Sequence, residues 1–293
     1  MPLNNKISAD TALKEFLNDN EIFAALLNGF LFDNEKIIDP NELEPMDSAY
    51  SDNVDDSNNQ KVVRYRDIVK RTSLGKYVII GVENQKRIHY AMPVRKMLYD
   101  ALVYTRQIKE IPKEKIKWTS DEYLSNVEIG TKIEPVVTVV LYVGENKWDG
   151  PRSLHEMLEI PEVIKKYVPD YPLYVIDMGH DEMLKFSNKK IQDYKTALTT
   201  IINKDKTSTE ELDAQMVALA GITTGNMRVY NMVQGKETVN MFTVFEEYET
   251  KFEEYENKIE EYENMICEAE AYKSEAETRI KELEAQLAMF TKK

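Results

Sequence analysis

The chain has 293 residues, 42% of them hydrophobic, only 10 Gly and 10 Pro, and a formal net charge of −14. That length buries one large core or two modest ones, and the composition is that of an ordered chain. A single cysteine, Cys267, excludes an intrachain disulfide framework and a cysteine-based zinc site, and three scattered histidines argue against a His-rich metal centre.

The longest apolar runs, such as VVTVVLYVG, are too short to span a bilayer, and MPLNNKISAD lacks the apolar region of a secretory signal. The expectation is a cytoplasmic protein without membrane contact. The negative charge is unevenly spread. From Phe245 to Lys293 there are 15 Glu against 7 Lys or Arg, whereas Lys61 to Lys117 holds 15 Lys or Arg against 5 Asp or Glu. A local balance of +10 is compatible with binding a phosphate backbone, although lysines that are merely solvated would give the same count.

Residues 10–32 have helical spacing of Leu13, Phe16, Leu17, Ile22, Phe23, Leu26, Leu27 and Phe30, with Ser8 as cap and NDN at 18–20 as a possible break. A short strand is predicted near 35–39, inside a polar loop that runs from 33 to 60. VVRYRDIV at 62–69 and YVIIGVENQ at 77–85 read as two strands of a hairpin turning at Gly75. The second is apolar on both faces, as a covered central strand is. A helix then starts near Pro93, with Val94, Met97, Leu98, Ala101, Leu102 and Thr105 as its packing side. EPVVTVVLYVG at 134–144 and YPLYVIDM at 171–178 are further strands. Between them PRSLHEML reads as a short helix, with Trp148 packing the preceding turn and Asp149 capping. Helices are expected at 181–203 and 207–219. Strands interleaved with helices predict an α/β core.

From Phe245 the spacing alternates three and four through Phe290, broken only by Lys273 in the apolar seam. Such a helix would be about 70 Å long, more than a globular neighbour could cover. Its stripe calls for a partner, most simply another copy of the chain, giving a homo-oligomer. The alternative is a helix folded back on its own domain. Cys267 lies beside the seam, and the acidic outer faces do not suit a basic-region DNA-binding zipper.

Asp67 falls near the end of the first hairpin strand, and Glu83 and Gln85 near the end of the second. Glu83 and Gln85, two apart, leave the same strand face. Antiparallel pairing brings Asp67 beside Glu83, and two adjacent carboxylates suit a hard divalent ion such as Mg2+. Such an ion polarises a phosphodiester and lowers the pKa of an attacking water. Glu83 emerges from an apolar strand, where a charge is costly without a partner. The plain alternative is that Asp67 is ion-paired with its neighbours Arg64 or Arg66. His89 has a structural reading and a proton-transfer reading; His155 and His180 have no evident catalytic partners. Neither a GxxxxGK nor a dinucleotide-binding glycine pattern is present.

RDIV sixteen residues before VENQ, then MPVRKMLYDALVY, PVVTVVLYVG and WDGPRSLHEML, in that order, resemble the recombination-promoting nuclease/putative transposase family of the PD-(D/E)XK nuclease superfamily. The resemblance covers roughly residues 8 to 240. It implies a PD-(D/E)XK nuclease-like domain, an α/β fold with a central mixed sheet flanked by helices, taken as 1–240; the heptad spacing makes 241–293 a coiled coil. It also implies magnesium-dependent DNA endonuclease activity, with Mn2+ as an alternative ion. The family's motif aspartate and glutamate match Asp67 and Glu83, the metal ligands, and its third motif position falls on Gln85. Asp10 matches a first-helix acid, with Lys14 one turn later and Leu13 where an aromatic is usual; Arg95 and Tyr99 match a pair on the helix after the motif. The superfamily's usual lysine is here Gln85, which orients water but carries no charge; Lys86, Arg87 or Arg95 could restore it. Arg95 paired to a surface acid and Tyr99 capping the core are the structural alternatives. Two functions follow: a DNA endonuclease, or a catalytically weak scaffold or regulator that assembles through its coiled coil. A true transposase is the third and less favoured.

Overall fold

The computed structural model describes residues 8–46, 49–53, 61–65, 67–74, 77–111, 118–125, 127–205 and 207–290. The chain divides into one unit from Met1 to Met241 and a second from Phe242 to Lys293. The first is a mixed α/β unit. No helix among the described residues is long and apolar enough to cross a membrane.

The N-terminal helical stretch is two helices, α1 (Ala9–Asn18) and α2 (Asn20–Leu31). Ser8 caps the first through the Thr11 N–H, and Asp19, the middle residue of NDN, caps the second through the Glu21 and Ile22 N–H groups. A strand at 35–39 does not form. That segment is irregular, and its buried Ile38 is tied down by a buried Asn28, whose amide exchanges two hydrogen bonds with the Ile38 backbone. The expected polar loop instead contains β1 (Glu44–Pro45) and β2 (Ala49–Asn53); residues 54–60 lie outside the described residues.

VVRYRDIV is not one strand. It breaks into β3 (Lys61–Tyr65), which pairs with β2 in a separate two-stranded sheet, and β4 (Ile68–Ser73) in the main sheet. The expected turn residues 70–73 are thus in strand; Gly75 lies outside the described residues. β5 runs over Tyr77–Gln85, as its apolar pattern predicts, and pairs antiparallel with β4. After α3 (Met92–Glu110) and the short α4 (Ser120–Ser125), β6 (Val136–Tyr142) joins β5 in parallel, and β7 (Tyr174–Asp177) joins β6 in parallel. The order β1-β4-β5-β6-β7 makes a five-stranded mixed sheet.

Register sorts its faces. Val69, Ile79, Val140 and Val175 lie on one side; Val69 and Ile79 cluster with Leu102 and Val103 of α3, while Val140 and Val175 cluster with Met92. Of the expected packing side of α3, Leu102 is buried and most of the rest is not. Val94 and Leu98 are 40% and 38% exposed, and Ala101 is exposed too, whereas Met92, Lys96, Tyr99, Asp100, Leu102 and Val103 are buried. Two charged residues enter the core because they neutralise each other. Lys96 Nζ donates to Asp100 Oδ2 at 2.8 Å, and Thr138 Oγ1 of β6 donates to Asp100 Oδ1 at 2.6 Å.

The opposite face carries Lys70 of β4, 2% exposed. Its ammonium donates to the Asn18 carbonyl and Asn20 Oδ1 at 2.7 and 2.6 Å and lies 4.8 Å from the Phe23 ring centroid, locking the α1–α2 corner to the sheet. Burial, opposed by nearby Asp19, pushes its pKa from 10.5 down to about 8. The unfolded chain then holds more protons than the folded one between those values, so Lys70 makes stability rise with pH across that window. Denaturant titrations at pH 7.5 and 10 should show wild type gaining on the order of 2 kcal/mol relative to Lys70→Met. An unchanged gap would mean that Lys70 titrates as an ordinary lysine.

PRSLHEML is not a helix: Ser153 bridges Pro172, and only a 3-10 turn forms at His155–Met157. Asp149 accepts from Tyr90 Oη instead of capping. Trp148 does pack the turn, edge-on to Tyr142, with its indole N–H donating to Gly150 O. The next helices start later than expected, as α5 (Lys189–Asn203) and α6 (Ala214–Thr224). The polar residues before each serve as caps, Asn188 and Asp213. Gly225, at φ +82, ends α6 in the left-handed conformation and leads into α7 (Met227–Met232). A two-stranded antiparallel sheet of β8 (Glu211–Asp213) and β9 (Thr238–Asn240), closed around α6 and α7, had no sequence signal strong enough to predict it. The second unit is one helix; α8 runs over Met241–Phe290, about 75 Å.

Candidate active site

The break in VVRYRDIV positions the site. The β4–β5 pairing ends at Ile68–Val82, with Asp67 one residue before Ile68 and Glu83 one residue after Val82. Asp67 stands at a bend just before β4, and one carboxylate oxygen, Oδ2, accepts the Asn84 backbone N–H at 2.7 Å. The other, Oδ1, lies 3.0 Å from Lys14 Nζ of α1. Lys14 also reaches Asp10 Oδ2 at 2.7 Å, one helical turn back. Burial opposes the charge on Lys14, but hydrogen bonding to Asp10 and Asp67 outweighs it and holds the ammonium above its usual pKa. Asp10, Lys14 and Asp67 thus form a connected polar group at the end of the sheet. Asp67 keeps 19% of its side-chain surface open to solvent.

The backbone of Glu83 is fixed in β5 between β4 and β6, paired with Val140 on the β6 side. Its side chain lies outside the described residues, as do Arg66 and the side chain of Arg64, the alternative partners for Asp67. Gln85 ends β5, half-buried, on the same strand face as Glu83, and its carbonyl accepts the Val143 N–H at 3.0 Å. Asn84, between them, points to the other face. Its side-chain amide is buried and neither of its polar atoms finds a partner among the described residues.

Arg95 and Tyr99 are joined: Arg95 Nε donates to Tyr99 Oη at 2.7 Å and the guanidinium lies 5.3 Å from the ring centroid. Tyr99 is buried. Both fall on the stripe of α3 that continues to Leu102, which packs with Val69, two residues after Asp67. The helix pair therefore runs along the same sheet face toward the strand ends that carry Glu83 and Gln85.

The expected basic surface is narrower than its composition implies. Lys70 and Lys96 are buried, Arg71 is held by Glu134, and Arg106 pairs with Glu110. Lys86 and Arg87 remain exposed directly after Gln85, where they line a cleft of about 480 Å3 with Ile88, Tyr90, Tyr142, Glu145 and Asn146. His89 is exposed and its backbone carbonyl starts α3.

Two arrangements escaped the sequence reading. The Asn84 amide that orients Asp67 is a backbone group and leaves no residue signature. His180 does have a carboxylate partner: Nδ1 lies 2.9 Å from Asp177 Oδ1, and Nε2 lies 3.0 Å from the Glu145 carbonyl. Asp177 also accepts the Trp148 N–H, so this group braces the loop after β6. The sequence DMGH, with His three residues after Asp, was the available cue.

Among the described residues no three His, Cys, Asp or Glu side chains gather as a metal cluster. The motif acids would offer a hard cation oxygen donors, but Lys14 occupies one Asp67 oxygen and the Asn84 N–H the other. No curated protein and no solved structure matched the chain. Residues 8–226 match the family described as "Putative transposase, YhgA-like". That span covers α1 through the end of α6, with every candidate residue inside it. The chain therefore belongs to the YhgA-like putative transposase family, in the PD-(D/E)XK/recombination-promoting nuclease group.

Proposed function

We propose that the first unit is a PD-(D/E)XK-type DNA endonuclease whose centre is the Asp67–Glu83 strand end. The observation that supports this reading is that the two motif acids flank the last β4–β5 pair, Ile68–Val82, in a chain of this family. Asp67 and Glu83 would hold Mg2+, or Mn2+ in its place. Bound there, the ion would stabilise charge developing on a phosphodiester and lower the pKa of an attacking water.

The chain's own groups do the rest. The Asn84 N–H fixes the orientation of the Asp67 carboxylate. Gln85 orients water through its side-chain amide but brings no charge. Lys14, 3.0 Å from Asp67, brings a cation from α1 to the place where Gln85 has none. Arg95, braced by Tyr99, and the exposed Lys86 and Arg87 would hold the phosphate backbone, leaving Asp10 to steady Lys14. The tail would assemble two or more such units, so that two sites meet one duplex.

One observation favours the second reading, a scaffold with little activity: the Lys14 ammonium already neutralises Asp67. The two readings separate in one assay. Purified protein incubated with supercoiled and linear DNA should cleave in Mg2+ and stop when the ion is chelated. Absence of cleavage in both Mg2+ and Mn2+ leaves the scaffold reading standing and removes the catalytic one.

A further inference from the structure

Among the described residues of α8 the apolar seam is uncovered from Ile259 to Leu283: Ile259, Tyr262, Ile266, Ile280 and Leu283 are each half or more exposed. With Phe245 as position a of the repeat, these occupy a and d positions. The flanking positions are sorted by charge. Every e position is acidic: Glu249, Glu256, Glu263, Glu270, Glu277 and Glu284. The g positions are Lys251, Lys258, Met265, Tyr272, Arg279 and Gln286. None of the 15 glutamates of the segment stands at g.

We propose that α8 pairs with the same helix of a second copy as a parallel, in-register, two-stranded coiled coil. This rests on the reading above that the tail self-associates, and on none of the nuclease chemistry.

In a parallel pair, each g residue faces the e residue of the partner's following heptad. Lys251 then meets the partner's Glu256, Lys258 the partner's Glu263, and Arg279 the partner's Glu284, and the reciprocal contacts double the number. In an antiparallel pair e faces e, which lines glutamates against glutamates along the whole seam. Arg279 pairs with Glu282 of its own helix at 2.8 Å, an exposed contact that is weak enough to exchange.

Lys273 fixes the register and the number of strands. At an a position it faces its own counterpart only when the helices are in register. A shift of one heptad sets it against Ile266 or Ile280. Its d neighbours Ala269 and Ala276 are small. In a two-stranded coil the lysine stem can lie over them while its ammonium reaches water; three strands would enclose it. Ile280 at an a position followed by Leu283 at d is the combination that two parallel strands favour.

The full chain carrying Cys267→Ser and Ala276→Cys tests this. Position 276 is a d site, where parallel pairing brings the two backbones within disulfide reach. It also lies away from the middle of the seam, so an aligned antiparallel pair holds its two copies far apart. Sedimentation should give twice the chain mass, and mild oxidation should convert most of the protein to a linked dimer. The outward-facing Thr278→Cys control should stay unlinked. A second variant, Glu256→Lys with Glu263→Lys and Glu284→Lys, should weaken dimerisation by about tenfold or more, because each exchange sets lysine against a basic g residue. A monomer overturns the self-association itself. A dimer that does not link at 276, or that tolerates the three reversals, overturns the parallel orientation alone, and a trimeric mass overturns the two-stranded state.

Discussion

Asp67→Ala should lower Mg2+-dependent DNA cleavage by about 10²–10³-fold or more, the scale seen when one electrostatic anchor of a transition state is removed. The substitution takes away the motif carboxylate at this strand end, together with the acceptor for Asn84 N–H and one of two partners of Lys14. Loss of folding is the competing explanation for such an effect, and Asp67→Asn separates the two. Its side-chain oxygen can still accept the Asn84 N–H, so the strand end keeps its hydrogen bond, while the negative charge is gone. The asparagine variant should match wild type in thermal stability within about 1 kcal/mol and should cleave as poorly as the alanine variant. If Asp67→Asn cleaves like wild type, the carboxylate has no part in the chemistry.

The largest expected stability effect lies at Lys96. Lys96 and Asp100 are 7% and 6% exposed and meet at 2.8 Å beneath the sheet, with Thr138 on the second carboxylate oxygen. Lys96→Met leaves a buried carboxylate without its cation and should cost about 3–5 kcal/mol. That is a fall of about 10 °C in melting temperature for a unit of this size. Replacing both, Lys96→Met with Asp100→Leu, should recover most of the loss, because well-packed apolar residues substitute for a buried pair at little net cost. Equal destabilisation by the single and double variants would show that the pair fixes the packing of α3 rather than merely neutralising itself. Denaturant unfolding of each variant reads the difference directly.

What the sequence made legible follows local pattern. YVIIGVENQ and VVTVVLY are dense apolar runs, and β5 and β6 fall where those runs stand. The NDN break was visible because a short polar run interrupts helical spacing. The split of VVRYRDIV was not. Its alternation falters only at the polar pair Arg66-Asp67, with no glycine or proline to mark the change of sheet, and β3 pairs with β2 while β4 pairs with β5. The face of α3 was misjudged for a different reason. Charged residues read as solvent-facing, yet Lys96 and Asp100 sit four apart on one side and cancel inside the core, while Val94 and Leu98 are left outside. PRSLHEML has the composition of a helix start, but pairing with the segment before β7 takes it.

The site shows the same division. Strand pattern predicts that Asp67 and Glu83 come to the same end of the β4–β5 pair, and their backbones flank its last rung, Ile68–Val82. Lys14 comes from a helix about fifty residues earlier, and only the way α1 packs brings it to Asp67. The Asn84 amide is invisible to any reading of side chains.

The central claim is that Asp67 and Glu83 share one divalent cation. Titration of Mn2+ followed by electron paramagnetic resonance, without DNA, tests it apart from catalysis. Wild type should take up one ion at a saturable site, and both Asp67→Asn and Glu83→Gln should lose that uptake while remaining folded. Undiminished Mn2+ binding by the two variants, or none by wild type, would contradict it.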